Sequence, residues 1–234
     1  MRFIISALLL LGYCPSIFAL PNNFVYLHDV APNIIEDMRY AGNNNFVGTP
    51  IPGYLAPRCI LTRAAAIQLQ KAQLAIARQG YRLKVYDCYR PQMAVNAFNL
   101  WSKDLNDTRM KQRFYPHEPK KTLFDKGYIA LYSGHSRGST VDITLVKTSN
   151  ANKTNQKNGN LGKNHPIDMG TPFDYFDKSA HVFYRGLSKQ QLKNRMLLRT
   201  LMMTYGFKPY PKEWWHFTLD NEPYPHTYFN FPVK

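Results

Sequence analysis

Two segments of the chain combine histidines with carboxylates. In SGHSRGSTVDITL, His135 lies in a glycine-containing turn and Asp142 follows seven residues later. In KEWWHFTL, Glu213 precedes His216 by three residues. Two imidazoles and one carboxylate make a three-ligand zinc set with a fourth position left for water, which is the arrangement of catalytic zinc sites. The residue types therefore predict a hydrolytic zinc centre, although a His-to-Asp spacing of seven is unspecific by itself.

The elements that carry these residues are predicted to be strands. Apolar and polar residues alternate over 140–146, which places Asp142 on the polar face of a strand. A second strand, rich in aromatic and β-branched residues, is predicted over 214–219 and includes His216. Strict alternation would send Glu213 and His216 to opposite faces, so Glu213 must lie in the preceding turn if both serve one site. There it would take a proton from the attacking water and pass it to the leaving amine.

A third candidate lies where a strand meets a helix. Alternation over 81–86 predicts a strand, and a helix is predicted to start at Pro91, a favoured first helical position. The apolar face of this helix comprises Ala94, Phe98, Trp101 and Leu105. Arg90 lies in the intervening turn, where it could stabilise the oxyanion that forms on an attacked carbonyl. A structural salt bridge between Arg90 and Asp87 is the alternative.

Two further helices have clear termini. One has Thr62 as its N-cap and Gly80 just beyond its end, and the other has a capping box of Ser188 and Gln191 and stops at Gly206. Residues 24–58 read as loops and short strands, and 148–164 read as a polar loop. Helices and short strands without regular alternation favour a single α+β domain with a central antiparallel sheet flanked by helices.

Length and charge restrict the function further. The chain has 234 residues, 44% hydrophobic content and a formal net charge of +15. This content supplies a packed core and excludes wholesale disorder. The basic residues are dispersed and no nucleic-acid-binding motif is found, so no nucleic-acid partner is expected. Charge alone predicts only a loose attraction to an anionic cell wall or membrane surface.

The first nineteen residues have the pattern of a secretory signal peptide. Arg2 precedes an apolar run over 3–11, and the segment ends at the small residue Ala19. The run is too short to cross a bilayer, so no membrane span is expected, and a buried first helix is the alternative. We expect a signal peptide at 1–19, one domain over 20–234, and export to the periplasm or the exterior.

Removal of this leader leaves two cysteines, Cys59 and Cys88. An oxidising compartment permits a disulfide between them. Two buried free thiols fit the sequence equally well, because the distance between the two residues cannot be read from it.

The motifs resemble those of the zinc D-alanyl-D-alanine dipeptidases of the VanX type. Residues 133–142 follow the pattern Ser-x-His-x-x-Gly-x-Ala-x-Asp, and 213–216 match the closing motif Glu-Trp-Trp-His. Other blocks occur in family order: Tyr40-Ala41, Asn45-Phe46-x-Gly48, Gly53-Tyr54, Asp87-x-Tyr89-Arg90-Pro91, Met169-Gly170-Thr171 and Phe173-Asp174. The resemblance runs from about residue 24 to the end and implies a DD-peptidase/Hedgehog-like fold.

The resemblance also implies individual roles. The ligands of one zinc ion would be His135, Asp142 and His216. The residues acting on the scissile bond would be Glu213, as base and acid, and Arg90, which would stabilise the transition state. The residues holding the dipeptide would be Tyr40, Ser133 and Asp174, with Tyr40 and Asp174 near its amino end.

Three departures from the family pattern stand out. Thr140 replaces an alanine beside the metal, which should leave ligation intact. Cys88 stands where glycine is commoner, either tightening the turn or serving a disulfide with Cys59. The loop over 148–164 resembles an insertion, which leaves the shape of the pocket and the range of substrates open.

The leading hypothesis is zinc-dependent hydrolysis of D-Ala-D-Ala to two D-alanines. The runner-up is a zinc D,D- or L,D-carboxypeptidase acting on longer peptidoglycan stem peptides. A third hypothesis is a non-catalytic wall-binding module. Glu213 argues against this last hypothesis, because a module that only binds has no use for a base.

Overall fold

The computed structural model describes residues 20–148 and 165–234. The predicted signal peptide and nearly all of the predicted polar loop lie outside the described residues. The strands are β1 (Phe24–Tyr26), β2 (Ile35–Glu36), β3 (Ile60–Thr62), β4 (Tyr81–Asp87), β5 (Thr140–Lys147), β6 (Phe207–Pro209) and β7 (His216–Leu219). The helices are α1 (Leu27–Val30), α2 (Arg63–Ala77), α3 (Gln92–Lys103), α4 (Lys111–Phe114) and α5 (Lys189–Thr204).

Within the described part of the chain, five strands form the main sheet in the order β2-β4-β5-β7-β6. The β4–β5, β5–β7 and β7–β6 pairs are antiparallel. The two-residue strand β2 pairs with β4 in parallel. A separate antiparallel pair, β1–β3, lies alongside. The predicted α+β class is confirmed, and the short edge strand makes the sheet mixed rather than purely antiparallel.

The central strand β5 is buried on both faces. Val141, Ile143 and Leu145 have no exposed surface, and Thr140 and Asp142 on the other face are at most 2% exposed. The polar face therefore lies inside the protein, where its groups need partners. Thr140 bonds the hydroxyl of Thr218 at 2.9 Å, and Asp142 faces the histidines described below. The alternation of β5 thus separates an apolar core from a buried polar site.

The helix termini largely agree with the sequence. The hydroxyl of Thr62 accepts from the amide of Ala65, and the capping box of Ser188 and Gln191 is formed. The expectation for α3 is wrong at both ends, because Pro91 is the N-cap rather than the first helical residue and the helix stops at Lys103. Leu105 therefore lies beyond the helix and is 55% exposed instead of packing on its apolar face.

One strand boundary also differs from the expectation. The predicted strand over 214–219 starts only at His216, because Trp214 and Trp215 belong to the turn before β7. Both tryptophans are buried. This late start leaves Glu213 in the turn, which is where the sequence placed it if it shares a site with His216.

A buried arginine on α5 fixes the segment that leads into the site. Arg195 is 1% exposed and donates to three main-chain carbonyls, those of Met169, Ser179 and His181, at 2.6, 2.9 and 2.6 Å. Burial lowers the pKa of Arg195 to about 10. The guanidinium thus pins the chain on both sides of Asp174.

Replacing this arginine by an apolar residue of similar length should destabilise the protein. Arg195→Met leaves the carbonyls of Met169 and Ser179 without this donor, while the His181 carbonyl keeps the amide of Tyr184, and each unsatisfied buried group costs about 1–3 kcal/mol. We expect the free energy of unfolding to fall by about 2–4 kcal/mol in urea titrations. The exposed control on the same helix, Lys193→Met, should change it by less than about 0.5 kcal/mol. Equal stability of the two variants would contradict the role of Arg195.

Candidate metal centre and active site

Strand register brings the candidate ligands together. In the β5–β7 ladder Asp142 lies directly opposite His216, and in the β4–β5 ladder it lies opposite Asp87. His135 reaches the same point from a short 3-10 helix over 134–137, just before β5. Gly138 closes that turn at φ +81°, where a Cβ would strike the ring of Phe24. The glycine of the motif is therefore required by both conformation and space.

The three side chains form a compact donor set. His135 Nε2 lies 3.3 Å from His216 Nδ1 and 3.3 Å from an oxygen of Asp142, and that oxygen lies 3.1 Å from His216 Nδ1. Tetrahedral zinc with bonds of 2.0–2.1 Å separates its ligand atoms by about 3.3 Å. The spacing of the three donor atoms therefore fits one zinc ion with a further position open.

The hydrogen bonding of His135 also fits a metal. Its Nδ1 lies 2.7 Å from the carbonyl oxygen of Cys88. A carbonyl only accepts, so Nδ1 carries the proton and Nε2 presents a lone pair to Asp142 and His216. With Nδ1 of His216 and an oxygen of Asp142, this lone pair converges on one point, where a cation could bind all three donor atoms. The site therefore has the donor chemistry of a metal centre.

Charge and burial act on these ligands in opposite directions. Burial alone would raise the pKa of Asp142, but the two neighbouring imidazoles outweigh it and hold that pKa well below its ordinary value. Burial lowers the pKa of His216. Both shifts favour the carboxylate and the neutral imidazole, which are the forms that bind metal.

Glu213 borders the metal ligands. It is 7% exposed, and its Oε2 lies 3.5 Å from Nδ1 of His216. The turn that holds it is closed by main-chain bonds from Glu213 to Tyr210 and from Tyr210 to His216. Burial and the negative charges of Asp142 and Asp174 raise the pKa of Glu213 well above its ordinary value. A buried carboxyl group beside the ligand set is suited to accepting a proton and returning it.

Arg90 is held by a fully buried carboxylate. Its Nε and Nη2 both lie 2.9 Å from Oδ2 of Asp87, whose other oxygen accepts from the hydroxyl of Tyr54 at 2.6 Å. Nη2 of Arg90 also lies 3.8 Å from Asp142. The salt bridge considered as an alternative therefore exists, and it aims the guanidinium toward the metal ligands rather than away from them.

The three residues predicted to hold substrate lie around the same centre. The hydroxyl of Tyr40 donates to Asp174 at 2.9 Å, and both side chains are buried. Burial, with the charge of Asp142, raises the pKa of Asp174 well above its ordinary value. Asp174 has φ +59°, an uncommon conformation for a residue other than glycine and one that concentrates at functional sites. Ser133 accepts from the amide of His135 and so caps the ligand-bearing turn.

One cavity of about 620 Å³ joins all these groups. It is lined by every residue that the sequence assigned to metal binding, catalysis or substrate binding: Tyr40, Arg90, Ser133, His135, Asp142, Asp174, Glu213 and His216. The geometry is therefore that of one enzyme active site with a metal position in its wall.

Sequence comparisons agree with this geometry. The family model for D-Ala-D-Ala dipeptidases, peptidase family M15, matches residues 21–234. The chain belongs to this family. It is 38% identical over 213 residues to the D-alanyl-D-alanine dipeptidase of Enterococcus faecalis, covering 91% of this chain and 99% of that protein. It is 39% identical over 211 residues to the dipeptidase of the same name from Streptomyces coelicolor, covering 90% and 98%.

A more distant match is the D-alanyl-D-alanine dipeptidase of Escherichia coli, 28% identical over 81% of each chain. Membership of the M15 dipeptidase family confirms the resemblance stated from the motifs and the prediction that the protein is a peptidase.

Several features of this M15 dipeptidase family member were not predicted. The cavity is also lined by apolar and aromatic side chains of the loop over 124–132 and of its neighbour Phe176: Phe124, Tyr128, Ile129, Leu131, Tyr132 and Phe176. Tyr210 packs its ring edge-on to His216, with centroids 5.6 Å apart. The loop has no periodicity from which its place in the cavity could be predicted. For Tyr210 the sequence offers one signal, its position three residues before Glu213.

Cys59 and Cys88, left open by the sequence, are joined in a disulfide with 5.4 Å between their Cα atoms. Both residues have no exposed surface. The helices in the described part of the chain are each too short or too polar to span a bilayer.

Proposed function

We propose that the protein is a zinc-dependent dipeptidase that hydrolyses D-Ala-D-Ala to two D-alanines, with Glu213 as its proton-transfer residue. The observation that carries the proposal is the donor set of His135, Asp142 and His216, whose spacing fits one zinc ion, beside a buried glutamate. Family membership supports the same reaction, because the curated relatives are D-alanyl-D-alanine dipeptidases.

The three ligands would hold the ion in the wall of the cavity. Zinc bound there supplies Lewis acidity, which lowers the pKa of water and polarises a peptide carbonyl. Glu213 removes a proton from the water molecule while the water oxygen adds to the carbonyl carbon. Glu213 then returns the proton to the amine nitrogen when the C–N bond breaks. The Arg90 guanidinium, held by Asp87, stabilises the negative charge that develops on the carbonyl oxygen.

Recognition of a free amino end favours a dipeptidase over a carboxypeptidase. Asp174 is a buried carboxylate with one hydroxyl donor, Tyr40, and so has capacity left for a substrate ammonium. In the longer stem peptides cut by a carboxypeptidase, the corresponding nitrogen is part of an amide bond. Such an enzyme therefore needs no carboxylate to bind a substrate ammonium. The buried Asp174 therefore supports the smaller substrate.

The site of action is part of the proposal. The pattern over 1–19 supports export to the periplasm or the exterior, and the disulfide of Cys59 and Cys88 suits an oxidising compartment. There the enzyme would trim or salvage dipeptides released from the wall. Removal of Arg2 with the leader lowers the formal net charge from +15 to +14, which favours a loose attraction to that anionic surface.

A comparison of two substrates tests the specificity. D-Ala-D-Ala should be cleaved with a kcat/KM at least about 10²-fold above that of an N-acylated tripeptide ending in D-Ala-D-Ala, because only the dipeptide offers an ammonium to Asp174. In Asp174→Asn this preference should shrink, since a neutral amide cannot pair with the ammonium. A wild-type preference for the tripeptide would instead establish the carboxypeptidase.

A further inference from the structure

The Cys59–Cys88 disulfide contacts the metal site through the main chain. Cys88 lies in the turn after β4, between Asp87 and Arg90, and its carbonyl oxygen accepts the Nδ1 proton of His135 at 2.7 Å. The contact is reciprocal, because the amide of Arg90 donates to the carbonyl of His135 at 3.2 Å. The residue that carries one sulfur therefore also fixes the orientation of a metal ligand.

The other half of the disulfide is anchored away from the cavity. The carbonyl of Cys59 accepts from the amide of Leu27 at 2.8 Å, and its amide donates to Oε2 of Glu36 at 2.9 Å. The next residue, Ile60, accepts from the amide of Tyr89 at 2.9 Å. Cys59 thus belongs to a firmly bonded part of the fold, formed by α1, β2 and β3.

The 87–90 turn carries three separate functions. Asp87 aims the guanidinium, Arg90 reaches the cavity, and the Cys88 carbonyl sets the tautomer of His135. Side-chain and main-chain groups that orient a metal-bound histidine usually change metal affinity 10–100-fold when removed. The disulfide links this turn to Cys59, directly before β3. Because the Cys88 carbonyl bonds His135, a small displacement of the turn would affect this metal ligand directly.

We propose that the Cys59–Cys88 disulfide is a positioning element for the metal site: it holds the Cys88 carbonyl against His135 and so raises the affinity of the site for zinc. The inference rests on the proposed zinc site. Opening the disulfide should weaken zinc binding even in protein that remains folded.

The test measures zinc affinity by competition with a chromophoric chelator, independently of activity. For Cys59→Ala/Cys88→Ala we expect the dissociation constant to rise about 10–100-fold. The control, Ile76→Ala, removes buried side chain from α2 near the opposite end of β4. Its dissociation constant should stay within about 2-fold of wild type, although its melting temperature also falls.

Reduction of the wild type provides the same comparison without a substitution. A phosphine reductant transfers two electrons to the S–S bond, and water supplies the two thiol protons and the oxygen of the phosphine oxide. The reduced protein should match the double variant.

The possible results separate the two proposals. Unchanged zinc affinity in folded double variant or reduced protein, beside an oxidised wild type that binds zinc, would overturn the positioning role alone. Absence of zinc binding in the oxidised wild type would overturn the proposed function, and this inference with it.

Discussion

Glu213→Gln should lower kcat for D-Ala-D-Ala by about 10²–10⁴-fold while leaving bound zinc unchanged. The amide keeps the size of the side chain and its place in the turn before β7, but it cannot accept a proton from water. Loss of a general acid–base residue typically has an effect of this size. Turnover is measured by release of D-alanine, and zinc by metal analysis of the purified variant.

Glu213→Asp is the control variant, because it keeps a carboxylate that can transfer a proton but moves that carboxylate away from its position in the wild type. It keeps a carboxylate but shortens the side chain, so its activity should lie between those of the wild type and the glutamine variant. Full activity of Glu213→Gln would show that another group transfers the proton. Loss of zinc from that variant would show instead that Glu213 belongs to the ligand set.

Arg90→Ala should lower kcat by about 10²–10³-fold, with a smaller change in KM. The guanidinium lies in the cavity beside Asp142. The proposed mechanism has it stabilise the charge on the attacked carbonyl, and removing one such stabilising group has an effect of this order. Because the charge forms only in the transition state, the loss falls mainly on kcat.

The alanine variant also leaves Asp87 buried without its cation, which is destabilising. Arg90→Lys separates the two effects, because lysine retains a positive charge for Asp87 but lacks the planar fork that reaches the cavity. It should recover most of the thermal stability and only part of kcat. A wild-type kcat in Arg90→Lys would show that Arg90 serves only as the structural partner of Asp87.

The sequence predicted the ligand-bearing elements because their patterns are local. Alternation in β5 placed Asp142 opposite the apolar face, and the conflict between alternation and a shared site placed Glu213 outside β7. Both interpretations depend only on a period of two residues. The catalytic and substrate roles of the individual residues stay predictions, although the structure brings those residues to one cavity.

Features that depend on long-range packing were not predictable in the same way. The sequence pattern predicts only that Thr140 and Asp142 share the polar face of a strand, yet both residues are buried and Asp142 faces the imidazoles of His135 and His216. The contact of the Cys88 carbonyl with His135 joins a main-chain group to a side chain 47 residues away, so no residue type signals it. Leu105 fits the helical period of α3, but the helix ends before reaching it.

Zinc titration of the metal-free protein, followed by release of D-alanine from D-Ala-D-Ala, tests the central claim most directly. Activity should be absent after exhaustive chelation and should rise linearly to a break at one zinc per chain. In His216→Ala, which removes one of the three ligands, the break should disappear. Full activity in the chelated wild type, or an unchanged titration of His216→Ala, would contradict a zinc dipeptidase built on His135, Asp142 and His216.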